Sequence, residues 1–305
     1  MQVFRDWLGL PAAARGASVA LGNFDGVHLG HAHLLRAAHG ARPDAPLAVL
    51  TFEPHPRAYF RPDDPPFRLT LAAERADALA ALGVALLYEL PFTHEFSLIT
   101  AEQFVSDVLH DGLGARHLTT GQDFAFGHRR GGGAGFLAKR AEALGMGFTA
   151  VPLVADAEGP LSSTRIRRAL QDGYPERATA ELGRPWGIRG TVAHGDARGR
   201  TIGFPTANVA LGGHLEPARG VYAVTVRLAD GTVHKGVANI GRRPTVNAGT
   251  ESRLEVNIFD FDADLYGAEI TVSLVSYIRE ERKFAGLDAL KAQIALDAAE
   301  ARRLL

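Results

Sequence analysis

Two hydrophobic patterns divide this 305-residue chain into an α/β unit followed by a small antiparallel β-barrel with a C-terminal helix. From Ser18 to Leu153, short apolar runs alternate with Ala/Leu-rich helical segments. That alternation predicts a parallel sheet with helices on both faces. From Trp186 onward strand-like runs follow one another, and a single amphipathic helix closes the chain. Several antiparallel strands with one packed helix predict a small barrel. The pattern changes near Gly183 to Pro185, so the domains are expected to span 1–183 and 184–305.

The first element, Ser18 to Leu21, is a short buried strand, and Ala32 to His39 a helix after it. Further strands are expected at Leu47 to Phe52, Val84 to Leu90, His117 to Gly121 and Phe148 to Leu153. Helices fall between them at Leu71 to Leu82, Ala101 to Leu109 and Gly135 to Leu144, with Thr100 and Gln103 as a capping box. The stretch Leu161 to Arg168 opens another helix that ends near Gly173, and Pro175 to Leu182 forms a short one stopped by Gly183. In the second half, strands are expected at Gly187 to Ala193, Val221 to Ala229, Thr232 to Ile240, Arg253 to Asp260 and Glu269 to Ile278. Asp230-Gly231 supplies a hairpin turn. Asp288 to Leu304 is the closing helix, with Leu290, Ile294 and Ala298 on one side.

Composition narrows the function classes. Thirty-three Lys and Arg against 34 Asp and Glu leave a formal charge of −1, which argues against a polyanion-binding surface. No apolar run is long enough to span a bilayer, and the first residues lack a signal-peptide layout. With no cysteine there are no disulfides, thiolate metal sites or thiol nucleophiles. A cytoplasmic enzyme is expected, with no nucleic-acid or membrane partner.

The chemistry gathers at strand ends, where ligands bind in open parallel sheets. After the first strand runs Leu21-Gly22-Asn23-Phe24-Asp25-Gly26-Val27-His28-Leu29-Gly30-His31. Gly22, Gly26 and Gly30 let backbone N–H groups approach a ligand, and the following helix start suits an anion. His28 and His31 share a helical face and suit phosphate oxygens; surface histidines, or a metal site with His33, are the alternatives. There is no Gly-Lys-Ser/Thr ending, so this is not a Walker A loop. Pro54 and Pro56 stiffen a loop that aims His55 or is an ordinary strand exit. Asp123 suits a ribose or a base, and Phe124 and Phe126 either line a ring slot or pack. Arg129 to Gly135 reads as a mobile loop over phosphates or as a plain flexible loop. Ser162, Thr164 and Arg167 form an anion cup at a helix start, or an N-cap with a basic exposed face.

The second half has its own motifs. His194 to Gly203, with Gly199, Arg200 and Gly203, is fit to wrap phosphates, and Pro205 follows it. Thr206 and Asn208 alternate by two, so on an extended strand their oxygens face one way and suit Mg²⁺. Glu255 lies among apolar strand residues, either on a solvated face or placed for proton transfer.

His-x-Gly-His after a strand resembles the signature of the nucleotidylyltransferase superfamily. GNFDGVHLGH, TFEPHPR, GQDFAFG, SSTRIR, GRTIGFPTAN, GVYAV, NIGRRPT, LYG and REERKF together resemble the bacterial bifunctional riboflavin kinase/FMN adenylyltransferases, or FAD synthetases, in order and spacing. The resemblance covers nearly the whole chain. It implies a Rossmann-like nucleotidylyltransferase domain in which ATP and FMN give FAD and pyrophosphate, and a riboflavin kinase barrel in which ATP phosphorylates riboflavin. It further implies that His28 and His31 stabilise the transition state at the α-phosphorus. Gly22, Asn23, Phe24 and Asp123 would contact the nucleotide, and Ser162, Thr164 and Arg167 the phosphates. In the kinase half, Thr206 and Asn208 would hold Mg²⁺ with ATP, and Glu255 would act as base. Four positions depart from the family pattern: Ala32, Pro160, Ala197 and Asn257, with Arg165 a substitute cation for the one missing at 160. A chain with one working half and one flavin- or nucleotide-binding scaffold fits the same motifs; assays from riboflavin and from FMN separate the two readings.

Overall fold

The computed structural model describes residues 1–193, 204–244 and 250–305, which form two compact units. The first comprises Met1–Asp64 with Thr70–Ser162, and the second Pro65–Leu69 with Ser163–Leu305.

In the first unit, β1 (Gln2–Phe4), β2 (Ser18–Leu21), β3 (Leu47–Glu53), β4 (Leu86–Pro91), β5 (His117–Gly121) and β8 (Gly147–Val151) form a parallel sheet in the order β1-β4-β3-β2-β5-β8. β6 (Ala125–Phe126) and β7 (Gly132–Gly133) pair with each other, as do β9 (Ala155–Asp156) and β10 (Gly159–Pro160). Alternate strand residues face opposite layers. Ala20, Val49 and Leu87 pack with Leu34, Leu35 and Ala38 of α1 (Leu29–Ala41). Val19, Leu21, Leu50 and Leu90 share a core with Phe104, Val108 and Leu109 on the opposite face.

The remaining helices of this unit are α2 (Pro56–Phe60), α3 (Ala72–Ala81), α4 (His94–Ser97), α5 (Ala101–Gln103) and α6 (Ala134–Ala143). The Thr100/Gln103 capping box closes as the spacing predicts, with the Gln103 N–H donating to Thr100 Oγ1 at 3.2 Å. From Phe104 to Gly112 the helix widens to π-type winding. The chain leaves β2 toward β3 and β4 on one side and returns with β5 on the other. The end of β2 is therefore the topological switch point, where such sheets open a ligand crevice.

In the second unit, β11 (Trp186–Ala193), β12 (Ala207–Ala210), β13 (Gly220–Arg227), β14 (Val233–Pro244), β15 (Thr250–Ile258) and β16 (Glu269–Arg279) close into a barrel, all pairings antiparallel. Its interior is filled by Ile188, Val209, Tyr222, Val224, Leu254, Val256, Val272 and Leu274 among others. Asp230 Oδ1 accepts from the Thr232 N–H at 2.9 Å and Gly231 takes φ +87°, so Asp230-Gly231 turns the hairpin between β13 and β14.

α7 (Ser163–Gln171) and α8 (Pro175–Leu182) belong with this barrel, since Ile166, Leu170, Ala178 and Leu182 share its core with Trp186. The compact units thus divide at Ser162–Ser163, whereas the change of sequence pattern lies at 183. The short segment Pro65–Leu69 joins the same unit through its backbone. The Leu69 carbonyl accepts from Trp186 Nε1 at 2.8 Å, and the Phe67 carbonyl from Arg167 Nε at 2.8 Å. α9 (Leu287–Leu304) lies on the outside of the barrel, where its Ala301 packs with Val221, Ala223 and Val237. Arg279 on β16 forks onto the buried Asp297 of α9 at 2.9 and 2.6 Å, which ties the helix to the barrel wall.

Candidate active sites

The loop at the switch point is short and tightly wound. Phe24 and Val27 take positive φ (51° and 45°), as does Gly26 (86°), so three of four successive residues are left-handed. Such backbone persists only where neighbours over-determine it. Here Asp25 Oδ1 accepts from the Thr70 N–H at 3.0 Å, and the Gly26 N–H donates to Thr70 Oγ1 at 2.9 Å. Thr51 Oγ1 donates to the Asn23 carbonyl at 3.1 Å.

His28 is the N-cap of α1. Its Nδ1 accepts from the Gly30 N–H at 3.1 Å, while His31 Nδ1 accepts from the His28 N–H at 3.2 Å. The rings stack with centroids 3.7 Å apart, and Phe24 lies 4.9 Å from the His31 ring. An Nδ1 that accepts from an N–H carries no proton, so each neutral ring holds its proton on Nε2. Burial, and then the neighbouring His28, push the His31 imidazole well below its usual range. Two imidazole donors thus sit side by side at the start of α1, the helix end whose dipole suits an anion.

Gly22, Asn23, Phe24, His28 and His31 are thus assembled within one turn of chain. Near them, the Leu161 carbonyl comes within 4.0 Å of where a Gly30 side chain would begin, which brings the segment preceding Ser162 to the helix start. Thr164 and Arg167 lie on α7 in the other unit, where Arg167 donates to Phe67 and sits 5.3 Å from its ring. Arg165, the expected substitute cation, pairs with the buried Glu181 at 2.7 Å. Asp123 is exposed after β5; Phe126 is buried against Phe104, with Phe124 stacked 5.5 Å from it. The glycine-rich stretch that follows is a folded clip rather than an open loop. β6 pairs with β7, and the His128 N–H donates to the Ile99 carbonyl at 2.8 Å. Within it Gly132 serves close packing, since a side chain there would begin 2.7 Å from the Phe126 ring.

On the barrel, Leu254, Val256 and Ile258 of β15 turn inward, so Glu255 and Asn257 lie on the outer face. In register, Glu255 stands between Asn208 on β12 and Asn239 on β14. Cross-strand neighbours of this kind present their side chains on the same face. Asn208 is buried and turns its Nδ2 toward the Thr206 carbonyl at 3.5 Å; its Oδ1 is buried with no hydrogen-bond donor among the described residues. An orphaned buried acceptor costs free energy unless a donor or a cation meets it, and a hard oxygen suits Mg²⁺.

Asn257 Nδ2 donates to the Pro205 carbonyl at 2.7 Å. Beside it opens a cavity of about 640 Å³ lined by Phe204, Pro205, Phe259, Phe261, Ala298 and Arg302, among others. The Arg302 guanidinium lies 4.1 Å from the Phe259 ring centre and forks onto Asp260 at 2.9 and 3.0 Å. Sequence reading did not find this cavity; the signal available was the aromatic pair Phe259 and Phe261 flanking Asp260. Gly199, Arg200 and Gly203 lie outside the described residues.

The first unit thus carries a stacked imidazole pair at a helix start, and the barrel carries a carboxylate between two amides. A family model for FAD synthetase matches residues 10–165, and one for riboflavin kinase matches residues 182–305. The chain is 43% identical to the bifunctional riboflavin kinase/FMN adenylyltransferase of Escherichia coli (strain K12), covering 95% of this chain and 93% of that one. It is 41% identical to the Pseudomonas fluorescens protein of the same name, covering 100% and 98%, and 39% identical to that of Bacillus subtilis (strain 168), covering 93% and 91%. A solved structure titled macrolide-efflux protein, from Streptococcus pneumoniae, superimposes with a TM-score of 0.88 at 36% identity, covering 99% of this chain and 98% of that one. Among the described residues no helix is long and apolar enough to cross a membrane. The chain belongs to the bifunctional riboflavin kinase/FMN adenylyltransferase family and is an enzyme.

Proposed function

We propose that the two units divide flavin synthesis by the acidity of the attacking group. The enzyme phosphorylates riboflavin to FMN and adenylylates FMN to FAD. In the second step the nucleophile is the FMN phosphate, already an anion near neutral pH. Its oxygen attacks the α-phosphorus of ATP and pyrophosphate leaves, so the site has no proton to take. What it must do is hold developing charge, and donors preorganised in a dry site do that at little reorganisation cost. The Nε2–H groups of His28 and His31, at the positive end of the α1 dipole, fill that role, with Gly22, Asn23, Phe24 and Asp123 contacting the nucleotide and Ser162 its phosphates. The observation that carries this reading is the paired Nδ1 acceptance, which fixes both rings as donors.

In the first step the nucleophile is the ribityl 5′-hydroxyl, which keeps its proton until attack. Glu255 takes that proton as the oxygen attacks the γ-phosphorus and ADP leaves. Thr206 and Asn208 would hold Mg²⁺; the orphaned Asn208 Oδ1 fits it, and the ion would neutralise phosphate charge. The adjoining cavity, with Phe204, Phe259 and Phe261 in its wall, is of a size for the adenosine of ATP. The cysteine-free composition fits a cytoplasmic location. Replacing Glu255 by Gln should slow FMN formation from riboflavin by about 10²–10⁴-fold. An unchanged rate would remove Glu255 from the reaction.

A further inference from the structure

The largest fully buried side chain among the described residues is a cation that neither step uses. Arg75, on α3, is 0% exposed. Its Nη2 reaches Glu53 Oε2 and Glu89 Oε2, each at 2.9 Å, and Arg5 closes on the other oxygen of Glu89 at 3.4 Å. Its Nη1 points at two backbone carbonyls, Asn23 at 3.5 Å and Phe52 at 3.4 Å. Its Nε has no hydrogen-bond partner among the described residues. The guanidinium is therefore not arranged to saturate its own donors. It is arranged to span the ends of β3 and β4 and the peptide that enters the switch-point loop.

Buried ion pairs contribute little net stability compared with apolar packing, and their attested effect is to select one arrangement. Here the arrangement selected is that of the Asn23–Phe24 peptide. The Asn23 carbonyl is held from one side by Thr51 Oγ1 and from the other by the Arg75 cation, and Phe24 follows at φ 51°. Phe24 in turn packs on the His31 ring. A rotation of that peptide would swing the Phe24 ring and, with it, the imidazole pair.

We infer that Arg75 is a positioning residue for adenylyl transfer. It acts through the Asn23 carbonyl, with Glu53 and Glu89 anchoring its guanidinium. This rests on the assignment of adenylyl transfer to His28 and His31.

The test is a double-mutant cycle in the full chain: Arg75→Lys, Thr51→Val and the pair. FAD formation from ATP and FMN is measured per folded enzyme, with melting temperature and riboflavin phosphorylation followed alongside. Lysine keeps the charge but lacks the fork that meets two carboxylates and two carbonyls. Arg75→Lys should lower kcat for FAD formation by about 10–100-fold, with the KM for ATP changed far less and riboflavin phosphorylation unchanged. The Thr51→Val loss should be non-additive with it by about threefold or more, because both side chains act on one carbonyl. Glu89→Gln, which loosens the anchor without touching Asn23, should reproduce the kcat loss in weaker form. Unchanged kcat per folded enzyme in Arg75→Lys, or losses in the cycle that simply multiply, would overturn the inference. A wild-type protein that makes no FAD would instead overturn the assignment beneath it.

Discussion

The switch-point loop and the outer face of the barrel, both proposed to serve phosphate chemistry, share almost no residue types. The first is built from glycine and two imidazole donors at the positive end of a helix. The second sets a carboxylate between two amides, which can accept a proton or a cation. The difference follows from the nucleophile: a phosphate oxygen arrives deprotonated, and an alcohol does not. One fold supplies fixed dipoles at a helix end, and the other supplies registered cross-strand neighbours, so each suits its own task.

The largest effect that can break this contrast belongs to His28. Replacement by Ala removes a donor aimed at the developing charge, and should cut FAD formation from FMN about 10²–10³-fold while FMN formation persists. An assay of each half-reaction on one preparation checks it. Next is Asn208→Ala. Loss of the orphaned Oδ1 should raise the Mg²⁺ concentration needed for half-maximal riboflavin phosphorylation by about tenfold, read from a metal titration, and leave FAD formation alone. Gly30→Ala sharpens the first site further. A methyl there would begin 2.9 Å from the His28 ring, so the ring must swing off the helix end. FAD formation should fall by about tenfold, with part of the N-cap lost as well, which a thermal melt reads.

The smallest effect is on pH dependence. The folded His31 resists protonation, because of burial first and His28 second, and His117 is lowered too, by burial and then by Arg42. Unfolded chains take up these protons near 6.5 and the folded protein does not. Stability is therefore complete above that value and falls as pH drops from it toward the lowered folded values. His31→Gln should flatten this acid loss in denaturant titrations between pH 5 and 7, and an unchanged slope would mean that His31 titrates normally.

Much of this architecture was legible in the residues. Strands such as Ser18–Leu21 and Leu47–Glu53, buried along most of their length, announce themselves as apolar runs, and the barrel strands by their succession. Gln2–Phe4 did not, because a three-residue strand with Val3 exposed carries no periodicity. The placement of α7 and α8 with the barrel was also hidden, since it depends on which core accepts Ile166 and Leu170 rather than on helix signals. At the sites, His28, His31, Asn208 and Glu255 stand out by motif. Arg75 gave only a faint sign: a cation four residues from both Leu71 and Leu79, on the apolar stripe of its helix. The cavity wall of Phe259, Phe261 and Arg302 comes from a loop and a distant helix, a meeting that no local pattern encodes.

The claim that one chain carries a charge-stabilising site and a proton-removing site is tested most directly by measuring both half-reactions on His28→Asn and Glu255→Gln side by side. A crossed outcome is predicted: the first variant loses FAD formation and keeps riboflavin phosphorylation, and the second does the reverse. A folded variant of either kind that lost both reactions equally would contradict it.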